Sequence, residues 1–414
     1  MSKKISLGAA IAYMAIVAAV VFVLTMLYSR MDFNQKIRNL SERETLYNSL
    51  SELDQYARES YYGTINETLL DSSTMAGYVA GLGDPYAQFL TPKEYEAYSK
   101  ADTRYIGIGV TTEQDPDGYI RIVEVYPESP AENAGLRSGD LIISIDGVAT
   151  NSADTTYAEM QASLRGEAGT KITIVPRRGA DDLAAVEVTR RVIEVPTVRA
   201  ARLLDGVAYL RIAGIASYTP SQLERAIRQA AADGAVGLIF DVRGVESDNM
   251  KVVSEMLDIL LPKMTTVYSA TATGTPVALY ESDESGVSLP MAVLMDKTTK
   301  GAPEMFAMGV RDGGKGRTVG EATFGKGTLQ EVRKLRDGSA VILTTAVFSG
   351  PGGAAYDITG VPVDYEVKLG VDDEGKASVL GVFDLDAQYR KAQEVVLAAA
   401  RSAEAGASNS SSAP

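Results

Sequence analysis

The chain has no histidine, no cysteine and no tryptophan among its 414 residues. Without histidine there is no Ser-His-Asp triad and no imidazole metal ligand. Without cysteine there is no thiol nucleophile, zinc knuckle or disulfide. Any hydrolytic chemistry must therefore run on hydroxyl, amine or carboxylate groups, and no metal or cofactor is expected. Positive charge is also scarce: 40 Lys and Arg face 54 Asp and Glu, a net charge of −14. Phosphate binding relies on clustered cations. No such patch is visible, so nucleic acid is not an expected partner.

What is present is ordinary globular composition, 45% hydrophobic and 23% charged, long enough for two or three domains. The exception is the N-terminus. From Leu7 to Tyr28 the chain carries no charge, and Lys3 and Lys4 precede the run. A helix of that length, at about 1.5 Å per residue, spans the roughly 30 Å hydrocarbon core. A cleaved signal peptide is the competing reading, but the flank Tyr28-Ser29-Arg30 lacks a small-x-small cleavage site. The expectation is a single-pass anchor over 7–28, with residues 1–6 cytoplasmic and the bulk outside. Arg30, Lys36 and Arg38 on the far side dilute the positive-inside signal.

Residues 29–100 read as a helical region. Gly83-Asp84-Pro85 should stop one helix, and Thr91-Pro92-Lys93-Glu94 should cap the next. From 101 to 195 the pattern changes. Ile106-Gly107-Ile108-Gly109-Val110 reads as an apolar strand and Ile120 to Val125 as a second. Ser129-Pro130-Ala131-Glu132-Asn133-Ala134-Gly135-Leu136 reads as a short capped helix, followed by a buried strand within Gly139-Asp140-Leu141-Ile142-Ile143-Ser144-Ile145-Asp146-Gly147. This order resembles a PDZ domain. Such domains bind peptides by adding a strand to a sheet edge and holding the terminal carboxylate in backbone N–H groups. The resemblance makes Ile106, Gly107, Ile108 and Gly109 the candidate peptide-binding segment, with peptides or protein C-terminal tails as the expected partners. The alternative is that the two glycines only relieve crowding.

Beyond Pro196 strands and helices alternate. Gly206–Ile212, Gly237–Arg243 and Met291–Met295 read as strands; Pro220–Asp233, Met250–Leu261 and Glu304–Val310 read as helices. This is the pattern of a layered α/β core over 196–385. A helix near Ala387–Ala403 should lead into a polar tail too poor in apolar residues to fold, over 386–414. The fold class expected is therefore α+β multidomain.

The segments GLGDPYAQFLTPKEYEAY, Asp241-Val242-Arg243, Val319-Gly320-Glu321-Ala322-Thr323-Phe324-Gly325-Lys326-Gly327-Thr328-Leu329-Gln330 and Asp337–Ala346 resemble the C-terminal processing (tail-specific) serine peptidases. The resemblance covers roughly Leu46 to Leu369 in the same domain order, and implies a core of the ClpP/crotonase-like fold. It implies a serine nucleophile activated by a lysine base, with a glutamine beyond it. Lys326 and Gln330 stand at the base and glutamine positions, and their spacing of four suggests one face of a helix. The nucleophile belongs 25 positions before the lysine, and that residue is Gly301. Glu304 and Asp312 keep the register. The resemblance also implies a glycine-rich oxyanion turn after Arg243, where this chain has Gly244-Val245-Glu246-Ser247-Asp248-Asn249. Glu246 and Asp248 thus put carboxylates where backbone donors are expected, beside Ser247. Thr298 and Thr299 are the nearest hydroxyls, with a role as helix caps as the alternative; Lys326 has an alternative as the partner of Glu246 or Asp248. Three readings stay open: a pseudopeptidase that recognises peptides, a divergent serine-type or threonine-type peptidase of envelope proteins, and a membrane-tethered scaffold. The sequence gives no oligomeric state.

Overall fold

The computed structural model describes residues 14, 17, 20–26, 44–99, 104–152, 154–370 and 382–410. The chain divides into two compact units, 1–77 and 78–414. In the first, a helix runs over 44–60, and Arg58 pairs with Asp54 and Glu67. Among the described residues no helix is long and apolar enough to cross a membrane. The expected span Leu7–Tyr28 lies mostly outside them; its described positions 14, 17 and 20–26 are helical and exposed.

In the second unit, the expected stop at Gly83 is a left-handed residue at φ 73°. The next helix, Pro92–Ser99, opens on a reciprocal cap between Thr91 and Glu94. Its preceding strand, Gln88–Leu90, joins the antiparallel sheet built on Ala340–Ser349, Met264–Ala270, Val277–Ser282 and Thr328–Lys334.

A seven-stranded antiparallel sheet follows, with the order Val110–Gln114, Ile120–Val125, Leu141–Ile145, Lys171–Arg178 and Asp181–Asp182 along its main path. Alternate residues such as Ile120 and Ile122, or Ile172 and Ile174, are buried together with Ile142, Leu136 and Met160. The helix Pro130–Asn133 starts on Ser129, whose hydroxyl accepts the Glu132 N–H. The helix Tyr157–Ser163 starts on a capping box of Thr156 and Glu159. One strand differs from expectation. Ile106 to Val110 is not continuous: Tyr105–Gly107 pairs with Arg191–Ile193, and Val110–Gln114 belongs to the larger sheet. The break falls at Gly109, whose φ of 84° no extended strand accommodates.

The core is a six-stranded sheet in the order Val198–Leu204, Val207–Ile212, Gly237–Asp241, Met291–Met295, Gly316–Gly320 and Tyr365–Glu366, parallel except for its first pair. Alternation sends Leu238, Phe240, Met291, Val293 and Met295 to one face, against Thr219–Ala232, Met250–Leu260 and Ala302–Asp312. Ile239, Ala292 and Leu294 face the other way, against Tyr389, Ala392 and Val396 of the helix Ala387–Ser410. Covering both faces by helices requires continuous apolar strands, as found here. The last helix overrides the expected unfolded tail as far as Ser410. Alanines at 403, 405 and 407 are strong helix formers, and a helix already anchored on the sheet propagates into them without a second nucleus. Among the described residues this is a multidomain α/β architecture.

Candidate active site

In a parallel sheet the strand carboxyl ends are where loops converge on ligands. Here two such ends matter, Gly237–Asp241 and Met291–Met295. Below the first lies a buried ionic network. Arg243, fully enclosed, donates to both oxygens of Asp241, at 2.9 and 2.7 Å, and to both of Asp386, at 3.2 and 2.9 Å. Arg211 reaches Asp241 at 2.7 Å and the Arg243 carbonyl at 2.6 Å. Burial alone would raise the Asp241 pKa, but the hydrogen bonds and charges of Arg243 and Arg211 outweigh it and hold it below the ordinary value. The network fixes where the chain leaves the strand.

The chain then turns at Gly244, at φ 70°. The turn is tied to the second strand end by Asp296, whose Oδ1 accepts the N–H of Gly244 at 3.3 Å and those of Thr298 and Thr299 at 2.9 and 3.1 Å. The same oxygen accepts the Thr298 hydroxyl at 2.6 Å; the buried Thr299 hydroxyl donates to the Val242 carbonyl at 3.2 Å. Neither threonine caps the helix that follows, so the alternative role as caps does not hold. That helix begins beyond its N-cap, Gly301, whose N–H is accepted by the Glu304 side chain.

Glu304 is wholly buried. Its carboxylate accepts the N–H groups of Gly301 at 2.7 Å, Gly325 at 2.7 Å and Lys326 at 2.8 Å, together with the Thr323 hydroxyl. One side chain therefore holds the expected nucleophile position and the expected base in a fixed relation. In sequence Glu304 served only as a register mark.

Between these elements the acidic turn folds over position 301. Glu246–Ser247 pairs in parallel with Lys300–Gly301. Gly301 has φ 77° and ψ −125°, and a Cβ placed on it would lie 2.3 Å from the Ser247 carbonyl oxygen. Two ion pairs hold the turn down. Lys300 meets Glu246 at 2.8 Å, a hydrogen bond that raises the lysine pKa against a smaller opposing effect of burial. Lys326 meets Asp248 at 2.6 Å. Both ammonium groups sit over the Tyr86 ring, Lys326 at 4.8 Å and Lys300 at 6.0 Å, and Lys300 also lies 4.7 Å from the centre of Phe324. Burial raises the Tyr86 pKa, with Lys300 pulling the other way.

The sequence expectations sort accordingly. Gly301, Glu246, Ser247, Asp248 and Lys326 come together, and of the two acids it is Asp248 that takes Lys326. Gln330 does not complete a helix with Lys326: the lysine lies in a loop, and Gln330 is in the strand Thr328–Lys334. The cause is pairing with Ala340–Ser349, which overrides the local spacing. Gln330 Nε2 donates to the hydroxyls of Thr328 and Thr344, at 2.7 and 3.1 Å. Sequence alone does not mark Tyr86, Lys300 or Asp296 as site residues, although Tyr86 lies inside the segment GLGDPYAQFLTPKEYEAY.

The candidate peptide segment is only partly available. The carbonyls of Ile108 and Gly109 accept the N–H groups of Ala131 and Tyr126, both at 2.9 Å. A small cavity of about 40 Å³ is lined by Tyr105, Ile108, Val110, Thr112, Gln161, Leu164 and Arg165. It lies between the Tyr157–Ser163 helix and the strand Val110–Gln114, which is terminal in its sheet. Burial pushes the Tyr105 pKa up to about 12.

Comparison with known proteins agrees with this division. Residues 206–367 match peptidase family S41, and residues 121–178 match the PDZ domain family. The carboxy-terminal processing protease CtpA of Bacillus subtilis is 26% identical over 355 residues, covering 85% of this chain and 74% of that protein. The carboxyl-terminal-processing protease of Synechocystis sp. is 29% identical over 302 residues, covering 71% and 68%. The solved photosystem II D1 C-terminal processing protease is 24% identical, with a TM-score of 0.47 over 79% of this chain and 89% of that one. The chain is thus a homologue of the carboxy-terminal processing proteases, in which a PDZ domain precedes a peptidase family S41 domain.

Proposed function

We propose that this chain is a membrane-anchored pseudopeptidase, which has kept the family fold, lost peptide hydrolysis, and recognises extracytoplasmic peptides or protein C-termini. The observation that carries the reading is position 301. It offers no side chain, and the Ser247 carbonyl fills the space where one would begin. Loss of the hydroxyl from a hydroxyl-base unit costs on the order of 10⁶ in turnover. The remaining parts do not substitute for it. Lys326 Nζ is held at 2.6 Å by the Asp248 carboxylate, an acid where a base would face a hydroxyl. The Thr298 and Thr299 hydroxyls are engaged by Asp296 and Val242. The Gly244 N–H points to Asp296, so it is not a free oxyanion donor; losing one such donor costs about 10² to 10³.

Recognition then falls to the PDZ domain, whose terminal strand Val110–Gln114 supports strand addition. The anchor is proposed from the uncharged run Leu7–Tyr28 behind Lys3 and Lys4. A titration of the whole chain with unstructured peptides, as free acids and as C-terminal amides, tests the recognition. The free acid should bind at least tenfold more tightly; equal affinities would contradict carboxylate capture.

A further inference from the structure

The two ion pairs over Gly301 share an asymmetry. Lys326 is 6% exposed, whereas the Asp248 side chain that neutralises it is 54% exposed. Lys300 and Glu246 repeat the pattern at 23% and 60%. Lys326 is buried and Lys300 partly buried, whereas the anions stand on an exposed turn. A carboxylate at the surface loses little on returning to water, but a buried ammonium left unpaired is costly. The turn can therefore lift only when another anion takes the place of Asp248. Tyr356 is wholly buried, and among the described residues its hydroxyl has no hydrogen-bond partner. That hydroxyl lies within the fields of Glu304, Asp357 and Asp248. The Gln330 Oε1 is likewise buried and has no partner among the described residues.

We infer that Lys326, with the Tyr86 ring behind it, forms a carboxylate-binding pocket occupied at rest by Asp248, and that the C-terminal carboxylate of a bound peptide displaces it. This rests on the recognition reading above and adds a second carboxylate site, separate from the PDZ groove. The exchange is one carboxylate for another on the same ammonium, so no bond is made or broken and charge is conserved. Gly301 is part of the device. Only a residue without a Cβ lets Ser247 pair across it, so the glycine and the acidic turn form a single adaptation rather than two separate losses.

The probe is N-acetylalanine, a carboxylate too short to add a strand to the PDZ sheet, with N-acetylalaninamide as control. Binding is measured by calorimetry on the whole chain in detergent, for wild type, D248N and the double variant D248N/K326M. D248N should bind the acid at least tenfold more tightly than wild type, show no gain for the amide, and lose the gain in the double variant. An equal affinity of wild type and D248N, or a gain that survives K326M, would overturn the inference. Should D248N not fold, hydrogen exchange on wild type decides. The Lys300 N–H donates to the Val245 carbonyl across the closed turn. Its exchange should speed up at saturating N-acetylalanine; unchanged or slower exchange would overturn the displacement. Failure of the PDZ reading is a separate result, seen as equal binding of long peptide acids and amides.

Discussion

The PDZ domain and the lysine cleft are two ways of treating an exposed backbone edge. In the PDZ domain the strand Val110–Gln114 has, among the described residues, a neighbour on one side only along the sheet order. In the cleft the corresponding edge at Lys300–Gly301 is filled from within by Glu246–Ser247. The first arrangement leaves pairing capacity for a partner; the second uses it up. The electrostatics differ in the same sense. Asp140 of the PDZ domain is buried and held by Arg178 at 2.8 Å, a fixed structural pair. Asp248 is a surface carboxylate on a buried lysine. A region that keeps its charges locked is scaffold, and one whose charges can be exchanged is a switch.

The largest expected effect comes from the scaffold beneath the cleft. Arg243→Met removes the buried cation that Asp241 and Asp386 share, although Arg211 still reaches Asp241, and should cost about 3–5 kcal/mol in denaturant unfolding. The loss should appear in hydrogen exchange of the Gly237–Asp241 strand while the PDZ sheet stays protected. Equal loss in both would break the distinction between the regions.

Gly301→Ala comes next. It places a Cβ against the Ser247 carbonyl and a side chain at φ 77°, strain worth about 1–3 kcal/mol. Peptide affinity at the PDZ groove should not change. An alanine variant as stable as wild type would show that the turn does not close on Gly301.

Asp140 gives a pH-dependent contrast. Burial would raise its pKa, but hydrogen bonds from Arg178 and the Arg137 N–H, with the charges of both arginines, lower it below the ordinary value. Because the folded value lies below the unfolded one, near about 3.9, the pair contributes fully above that pH. Its contribution is lost as pH falls through the folded value. Asp140→Asn should therefore cost about 1–2 kcal/mol at pH 7, with the gap to wild type closing in acid. A gap independent of pH would contradict the assignment.

The smallest effect is at Tyr86. Tyr86→Leu removes the ring from under Lys326 and Lys300, and should destabilise by about 0.5–1 kcal/mol. Exchange at the Lys300 N–H should rise while the PDZ strands are unaffected. No change there would remove the ring from the pocket.

Much of this was legible in the sequence. The strand Met291–Met295 and the caps at Thr91 and Ser129 followed from local patterns that tertiary packing did not oppose. The pairing of Lys326 with an acid of the turn is one of the two roles the sequence offers it. What escaped were features set by distant pairing. Lys326 and Gln330 are spaced for a helix, yet pairing of Thr328–Lys334 with Ala340–Ser349 makes that segment a strand. Ile106–Val110 alternates like one strand, but Gly109 turns it. Tyr86 lies more than two hundred residues from the lysines it underlies, and no local pattern reveals such a contact. The composition of the tail after Ala403 carries no sign of the anchored helix Ala387–Ser410 that extends into it.

The most direct measurement of the central claim is cleavage of an unstructured protein by the whole chain, alongside Lys326→Ala. A closed cleft without a nucleophile predicts no cleavage above background by either protein. Cleavage by wild type that Lys326→Ala abolishes would contradict it.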